Sequence, residues 1–228
     1  MPDHTEIYKS EAATYDLLIS KQPCLLETIR SICPPDGRDV VDLGAGTGRL
    51  TVPIARTARS IRALDASPDM LRVAALKLTQ AGLANWSTHT SDHRALSAAD
   101  HSADLLVSGW SICYVASSNA AGWETHLDAV MTEIGRVVRP GGTAILIETL
   151  GTGATTPSTP RYLTGYYALL ESKYGFHHRW IRTDYRFDSV GEAERLTRFF
   201  FGASLAETVA REKLQTVPEC AGIWWRTF

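Results

Sequence analysis

The chain has 228 residues, 44% of them hydrophobic and 21% charged, with a formal net charge of −2. That balance is ordinary for a soluble protein with a sizeable core and gives no support to a general polyanion binder, which needs clustered Lys and Arg. No segment reaches the roughly 18 uninterrupted apolar residues of a membrane span. The opening residues 1–6 lack a basic start and an apolar run, so no secretory signal is expected. Cys24, Cys33, Cys113 and Cys220 lie far apart among apolar neighbours with no pair at metal-ligand spacing. Unpaired, buried cysteines in a reducing cytoplasm are the expectation.

Two helical stretches open the chain, one over residues 8–19 and one from Pro23, where Leu25, Leu26, Ile29 and Ile32 keep helical spacing until Pro34-Pro35. A strand at 39–43 runs through Asp42 into Gly44-Ala45-Gly46-Thr47-Gly48, and a helix follows through Leu50, Ile54 and Ala55. A strand-to-helix turn this tight requires positive φ and lets a ligand approach the backbone. Strand two, 60–64, ends at Asp65. Ser67-Pro68 reads as an N-cap with proline at the first helical position, Leu71, Ala74, Ala75 and Leu78 form one face, and Gly82 stops the helix. A strand at 86–90 ends on Ser91-Asp92, and one at 103–108 ends on Ser108. The helix 123–138 is ended by Arg139-Pro140-Gly141-Gly142, with strand five at 143–149. Residues 151–160 read as a loop, followed by an aromatic helix with Tyr162, Tyr166 and Tyr167, and a strand at 178–187. Ser189 with Glu192 and Ser204 with Glu207 predict two capping boxes, with Leu196, Phe199 and Phe200 facing inward, and 221–228 is a final strand. Of Trp224 and Trp225, at most one can face the interior.

Five strand–helix alternations with short connections predict an α/β chain with a parallel sheet, helices on both faces and right-handed crossovers. Ligands of such sheets bind outside the carboxyl ends of the strands, the edge that carries 42–48, Asp65, Asp92 and Ser108.

Five segments carry a resemblance: Asp42-Leu43-Gly44-Ala45-Gly46-Thr47-Gly48, Ala63-Leu64-Asp65-Ala66-Ser67, Ser91-Asp92, Asp104-Leu105-Leu106-Val107-Ser108, and Arg136-Val137-Val138-Arg139-Pro140-Gly141-Gly142. In this order and spacing, over about residues 38–150, the chain resembles the class I S-adenosylmethionine-dependent methyltransferases of the small-molecule type. The resemblance implies a Rossmann-like methyltransferase fold, a mostly parallel seven-stranded sheet whose last strand is antiparallel. It implies one domain over 1–228: N-terminal helices or a lid at 1–37, a donor-binding core at 38–150, and an acceptor-shaping part at 151–228.

It also implies a donor site for S-adenosylmethionine built from Tyr15, Asp42, Gly44, Ala45, Gly46, Thr47, Gly48, Asp65, Ala66, Met70, Ser91, Asp92, His93, Ser108, Gly109 and Trp110. Backbone N–H groups of the turn suit the donor's carboxylate end. Asp42 helps position the methionyl part or ties down the loop. Asp65 accepts the ribose hydroxyls, with Ser67 left as helix cap. Met70 lies against adenine or in the helix core, and Asp92 accepts from the adenine amino group beside the His93 N–H. Tyr8, Trp110, Tyr114 and Tyr166 are the candidates for the acceptor side, where π faces suit a cationic group. Methyl transfer from a sulfonium asks mainly for alignment and exclusion of water, so no catalytic residue is assigned among His126, Glu148, His177 and His178.

Two other readings compete. A nicotinamide-dependent oxidoreductase shares the strand–glycine–acid pattern, but the position three after Gly46 is Arg49, where that fingerprint wants Gly or Ala. A methyltransferase-like binding protein without turnover is the other. Ser108-Gly109-Trp110-Ser111 stands where enzymes acting on nucleic-acid base amines often carry Asn/Asp-Pro-Pro-aromatic, and Glu148 alone does not make a metal site. A small organic acceptor, no metal, no nucleic acid, no membrane, and a monomer or homodimer are the expectations.

Overall fold

The computed structural model describes residues 2–228, with Met1 outside the described residues. Its centre is a seven-stranded sheet built from β1 (Asp39–Leu43), β2 (Ser60–Asp65), β3 (Trp86–Thr90), β4 (Ala103–Gly109), β5 (Val138–Thr152), β6 (His177–Arg182) and, last in the chain, β9 (Glu219–Thr227). The order across the sheet is β3-β2-β1-β4-β5-β9-β6. The first five strands pair in parallel, and β9 runs antiparallel to both β5 and β6. The seven-stranded arrangement and its antiparallel last strand thus match the expectation.

Alternate residues of each strand feed opposite faces, as the pleat requires. Val41, Leu43, Leu106, Ala144 and Leu146 pack under α6 (Trp123–Val137) and α7 (Thr164–Ser172). Val40, Leu105, Val107, Ile145 and Ile147 pack under α3 (Leu26–Arg30) and α4 (Thr51–Ala55). Burial on both faces explains why β4 reads as a near-continuous apolar run. The helix α5 (Pro68–Gln80) begins as its sequence says: Ser67 Oγ accepts from the Met70 N–H at 3.3 Å, with Pro68 at the first helical position.

A third apolar cluster lies apart from the sheet. Leu18 of α2 (Ala12–Ile19), which follows α1 (His4–Ser10), packs with Tyr185, Phe187, Leu196, Val209 and Val217. These come from β7 (Tyr185–Arg186) and the residue after it, α8 (Val190–Phe201), α9 (Ala203–Glu212) and β8 (Thr216–Val217). Lys21 ties the two ends of the chain together through Asp188 and Glu192, each at 2.8 Å. Residues far apart in sequence therefore make one cap.

Several elements differ from the expectation. The stretch 8–19 is two helices broken at Glu11, whose backbone leaves the helical region. The stretch 178–187 is two strands in different sheets, β6 in the large one and β7 paired only with β8. Residues 139–142 do not separate helix from strand: β5 starts at Val138 directly after α6, and the register against β4 shifts between Ala103 and Leu105 to absorb them. The Ser189 cap forms, but the Ser204 box does not, because Gly202 at φ +92° lets α9 begin at Ala203. Phe199 and Phe200 are half-buried where Leu196 is buried. Trp224 is buried and Trp225 is not, as alternation requires, whereas Cys24 is exposed.

Candidate active site

The glycine turn leaves β1 at Leu43 with Gly44, Gly46 and Gly48 at φ +72°, +54° and +83°. Only at Gly44 is the space itself closed: a Cβ there would overlap the Cβ and Oγ of Ser111. Ser111 is in turn hydrogen-bonded to His93 Nε2 at 2.7 Å, so the turn after β1, the loop after β3 and the loop after β4 meet at one point. Sequence reading missed this Ser111–His93 link, since nothing local joins positions 18 residues apart. Burial pushes the His93 imidazole down to about 4, so the ring is neutral at pH 7.

Beside the turn is a recess lined by the turn from Gly44 to Thr47, by Asp42, Tyr15, Arg49 and Trp110, and by Ile19, Leu50 and Gly109. Eight of the expected residues, Tyr15, Asp42, Gly44, Ala45, Gly46, Thr47, Gly109 and Trp110, come together here. Gly48 lies behind, where a Cβ would stand 3.1 Å from the Ala74 Cβ, and Met70 sits under Gly46 with its Cε 3.4 Å from where a Cβ would stand. Asp65 closes the turn from β2, accepting from the Gly46 N–H and the Ser67 N–H, each at 2.8 Å. Ala66 is exposed next to it.

Over this edge lies an aromatic cap. The Tyr8 and Tyr114 hydroxyls are 2.6 Å apart, His4 Nδ1 is 3.0 Å from Tyr114 Oη, and His4 stacks on Phe200 at 4.2 Å. Tyr15 meets Tyr8 edge-on at 5.2 Å and Phe200 at 5.3 Å. Phe200, expected to serve only the core, thus brings α8 into the cap. Burial raises the Tyr15 hydroxyl to about 12 and moves Tyr8 and Tyr114 upward as well, so all three stay neutral donors.

Other expected residues stand elsewhere. Tyr166, expected at the acceptor side, is fully buried in the core under the sheet, and its hydroxyl donates to Glu148 Oε1 at 3.4 Å. It cannot meet a ligand without unpacking α7. The Ser91 hydroxyl is used within its own loop, accepting from the Ser97 N–H at 2.9 Å and donating to the Ala95 carbonyl at 3.2 Å. Asp92 is gripped by the Arg94 guanidinium at 2.9 and 2.6 Å, which holds its carboxyl well below the usual range. Ser108, next to last in β4, is buried with no partner for its hydroxyl. His177 and His178 lie on β6, the outer strand of the sheet.

The region from β1 into β5 also matches known proteins. Residues 40–142 match the family described as "Methyltransferase domain". This match supports an S-adenosylmethionine-dependent methyltransferase of class I. Over 121 residues it is 38% identical to the malonyl-[acyl-carrier protein] O-methyltransferase of Methylococcus capsulatus, spanning 52% of this chain and 39% of that protein. Along 95% of its length it is 25% identical to the ubiquinone/menaquinone biosynthesis C-methyltransferase UbiE of Rubrivivax gelatinosus, of which it spans 73%. Thus the chain spans about two-fifths of the first relative's length. A crystal structure of an Aquifex aeolicus SAM-dependent methyltransferase shares the fold at TM-score 0.59 and 14% identity, over 93% of this chain and 97% of that one.

The matches support S-adenosylmethionine as the donor, and the recess fits it in two respects. Its floor is a glycine turn at which Gly44 has no room for a side chain, and polar atoms around it are left without partners, among them Asp42 Oδ1, Thr47 Oγ1 and Arg49 Nη2. Aromatic rings of Tyr15 and Trp110 line the rest, as suits a sulfonium cation.

Asp42 is a buried acid at the foot of the recess. Thr51 Oγ1 donates to its Oδ2 at 2.6 Å, yet burial dominates and pushes its carboxyl up to about 7. A carboxyl raised on folding binds more protons in the native state, so its contribution to stability is greatest below the unfolded value near 4. That contribution falls as pH rises and is fully lost above about 7. Asp42→Asn is therefore expected to melt higher than the parent at pH 8, by about 2–4 °C for each kcal/mol recovered, with the gain shrinking toward pH 5. Scanning calorimetry of both proteins across pH 5–8 checks this; a gain independent of pH contradicts it.

Proposed function

We propose that this chain transfers a methyl group from S-adenosylmethionine to a small organic acceptor, acting as one catalytic domain over residues 1–228. The observation that carries the reading is the meeting, at the carboxyl edge of β1, β2 and β4, of the glycine turn and the Trp110 ring around one recess, with Asp65 bonded to the turn at Gly46. When bound, the donor supplies an activated methyl group, which bonds to the acceptor as the carbon–sulfur bond breaks and its electron pair returns to sulfur. Asp65 is assigned to the ribose hydroxyls, Met70 to the adenine face, and Asp92, held by Arg94, to the adenine edge. Tyr15 and Trp110 exclude water from the transfer path, where alignment and desolvation supply most of the acceleration.

Acceptor approach is assigned to the side of the Tyr8–Tyr114 cap. A small organic acceptor is supported by the relative named for ubiquinone/menaquinone biosynthesis. The net charge of −2 and the absence of a Lys/Arg run favour a small molecule over nucleic acid. No helix among the described residues is long and apolar enough to cross a membrane.

Calorimetric titration with S-adenosylmethionine, S-adenosylhomocysteine and NAD tests the donor. Binding of both sulfur compounds and no heat with NAD is expected. Tight NAD binding with no response to either sulfur compound overturns the reading in favour of an oxidoreductase.

A further inference from the structure

The methionyl end of the donor carries a carboxylate, and the simplest place for it is the row of amides in the glycine turn. Four of those amides are already committed. Gly44 N and Ala45 N both donate to the Leu64 carbonyl, at 2.7 and 2.9 Å, Gly46 N donates to Asp65 Oδ2 at 2.8 Å, and Gly48 N donates to the Ala45 carbonyl at 2.9 Å. The helix behind the turn, α4, is only five residues long, too short for a strong aligned dipole. A carboxylate entering the recess meets few unused backbone donors.

One strong donor is unused. Arg49 lines the recess, and its Nη2 is buried without a hydrogen-bond partner. Arg49 stands in the turn just before α4, next to its N-cap Leu50. Its guanidinium carbon sits 3.9 Å from the centroid of the Trp110 ring. Trp110 itself has φ +51°, a left-handed backbone that is costly for a bulky side chain, held by its N–H to the Ile147 carbonyl at 2.6 Å. The groups whose charge reaches Arg49 are Tyr185, Tyr15, Glu219 and Cys24. Glu219, the acid among them, accepts from Thr149 Oγ1 at 2.9 Å, and burial favours its neutral form.

We propose that Arg49, steadied on the Trp110 ring, is the carboxylate-binding residue of the recess. A planar guanidinium meets a carboxylate in two parallel hydrogen bonds, which the point charge of a lysine does not reproduce. This rests on the donor reading above and names the group that holds its anionic end. Two molecules present a carboxylate here: the donor's methionyl end, or an acceptor bound next to it.

The test titrates the parent protein and Arg49→Met with S-adenosylhomocysteine and with S-adenosyl-3-thiopropylamine, the same nucleoside without the carboxylate. For a donor carboxylate, Arg49→Met weakens S-adenosylhomocysteine by roughly 10- to 100-fold, the range of a charge-assisted hydrogen bond, and leaves the decarboxylated compound unchanged. For an acceptor carboxylate, both nucleosides bind Arg49→Met as they bind the parent, but succinate no longer binds the S-adenosylhomocysteine-saturated variant. If neither nucleoside preference nor succinate binding changes, the proposal is wrong. Should Arg49→Met not fold, Arg49→Lys reads the same preference, a severalfold weakening confined to one of these carboxylates. A parent protein that binds neither nucleoside removes the donor reading itself, a result distinct from a parent that binds both and a variant that follows it.

Discussion

Gly44→Ala is expected to destabilise the protein by about 3 kcal/mol and lower its melting temperature by about 6–12 °C. Two costs add. An alanine at φ +72° sits in the left-handed region, and its Cβ overlaps the Ser111 side chain, which cannot retreat because Ser111 holds His93. The two costs separate in a double variant. Ser111→Gly vacates the space, so Gly44→Ala in that background is expected to cost only the backbone share, about 1–2 kcal/mol. Denaturant unfolding of the four proteins measures the coupling. Additive effects of the two changes would mean that Ser111 does not close the turn.

The second large effect concerns the donor. Asp65→Ala is expected to weaken S-adenosylhomocysteine on the order of 100-fold, because two charge-assisted hydrogen bonds to the ribose are lost together. Folding suffers less, about 1–2 kcal/mol, since the Gly46 and Ser67 N–H groups lose their acceptor. Asp65→Asn keeps one carbonyl oxygen for those amides and separates the two roles: stability close to the parent, affinity still reduced. A folded Asp65→Ala protein with parental affinity would take Asp65 out of the site. Burial raises the Asp65 carboxyl above its ordinary value, so the affinity contributed by its charged form is expected to fade on the acid side of neutrality.

Where neighbours in sequence decide the structure, the reading was close. β1 and β3 fall on the residues expected, because a short apolar or β-branched run between turn residues has few other options. Ser67-Pro68 starts α5 through a bond between residues three apart. Where distant contacts decide, it was not. Tyr166 follows β5 in the chain and so looked available to a ligand, but α7 turns that face into the core and spends its hydroxyl on Glu148. The stretch 178–187 has the composition of one strand, yet Arg182 still pairs with β9 and Tyr185 has already moved to β8. Arg49 carried a signal that could have been weighed, a cation just before a helix, but its meaning depends on Trp110 being folded beneath it.

The amino-acid sequence alone determined the alternation of strands and helices, the glycine turn after β1 and the acid that ends β2, because each follows from periodicity, capping or φ preference within a few residues. Only the tertiary structure decided which polar groups remain unused at the strand edge. Whether an amide, a hydroxyl or a guanidinium is free depends on every partner brought near it, and those partners, from Leu64 to Asp65 to Trp110, arrive from separate strands. The cap over the site is of the same kind, since α2 and α8 each lack a surface to bury their apolar face until the other is in place.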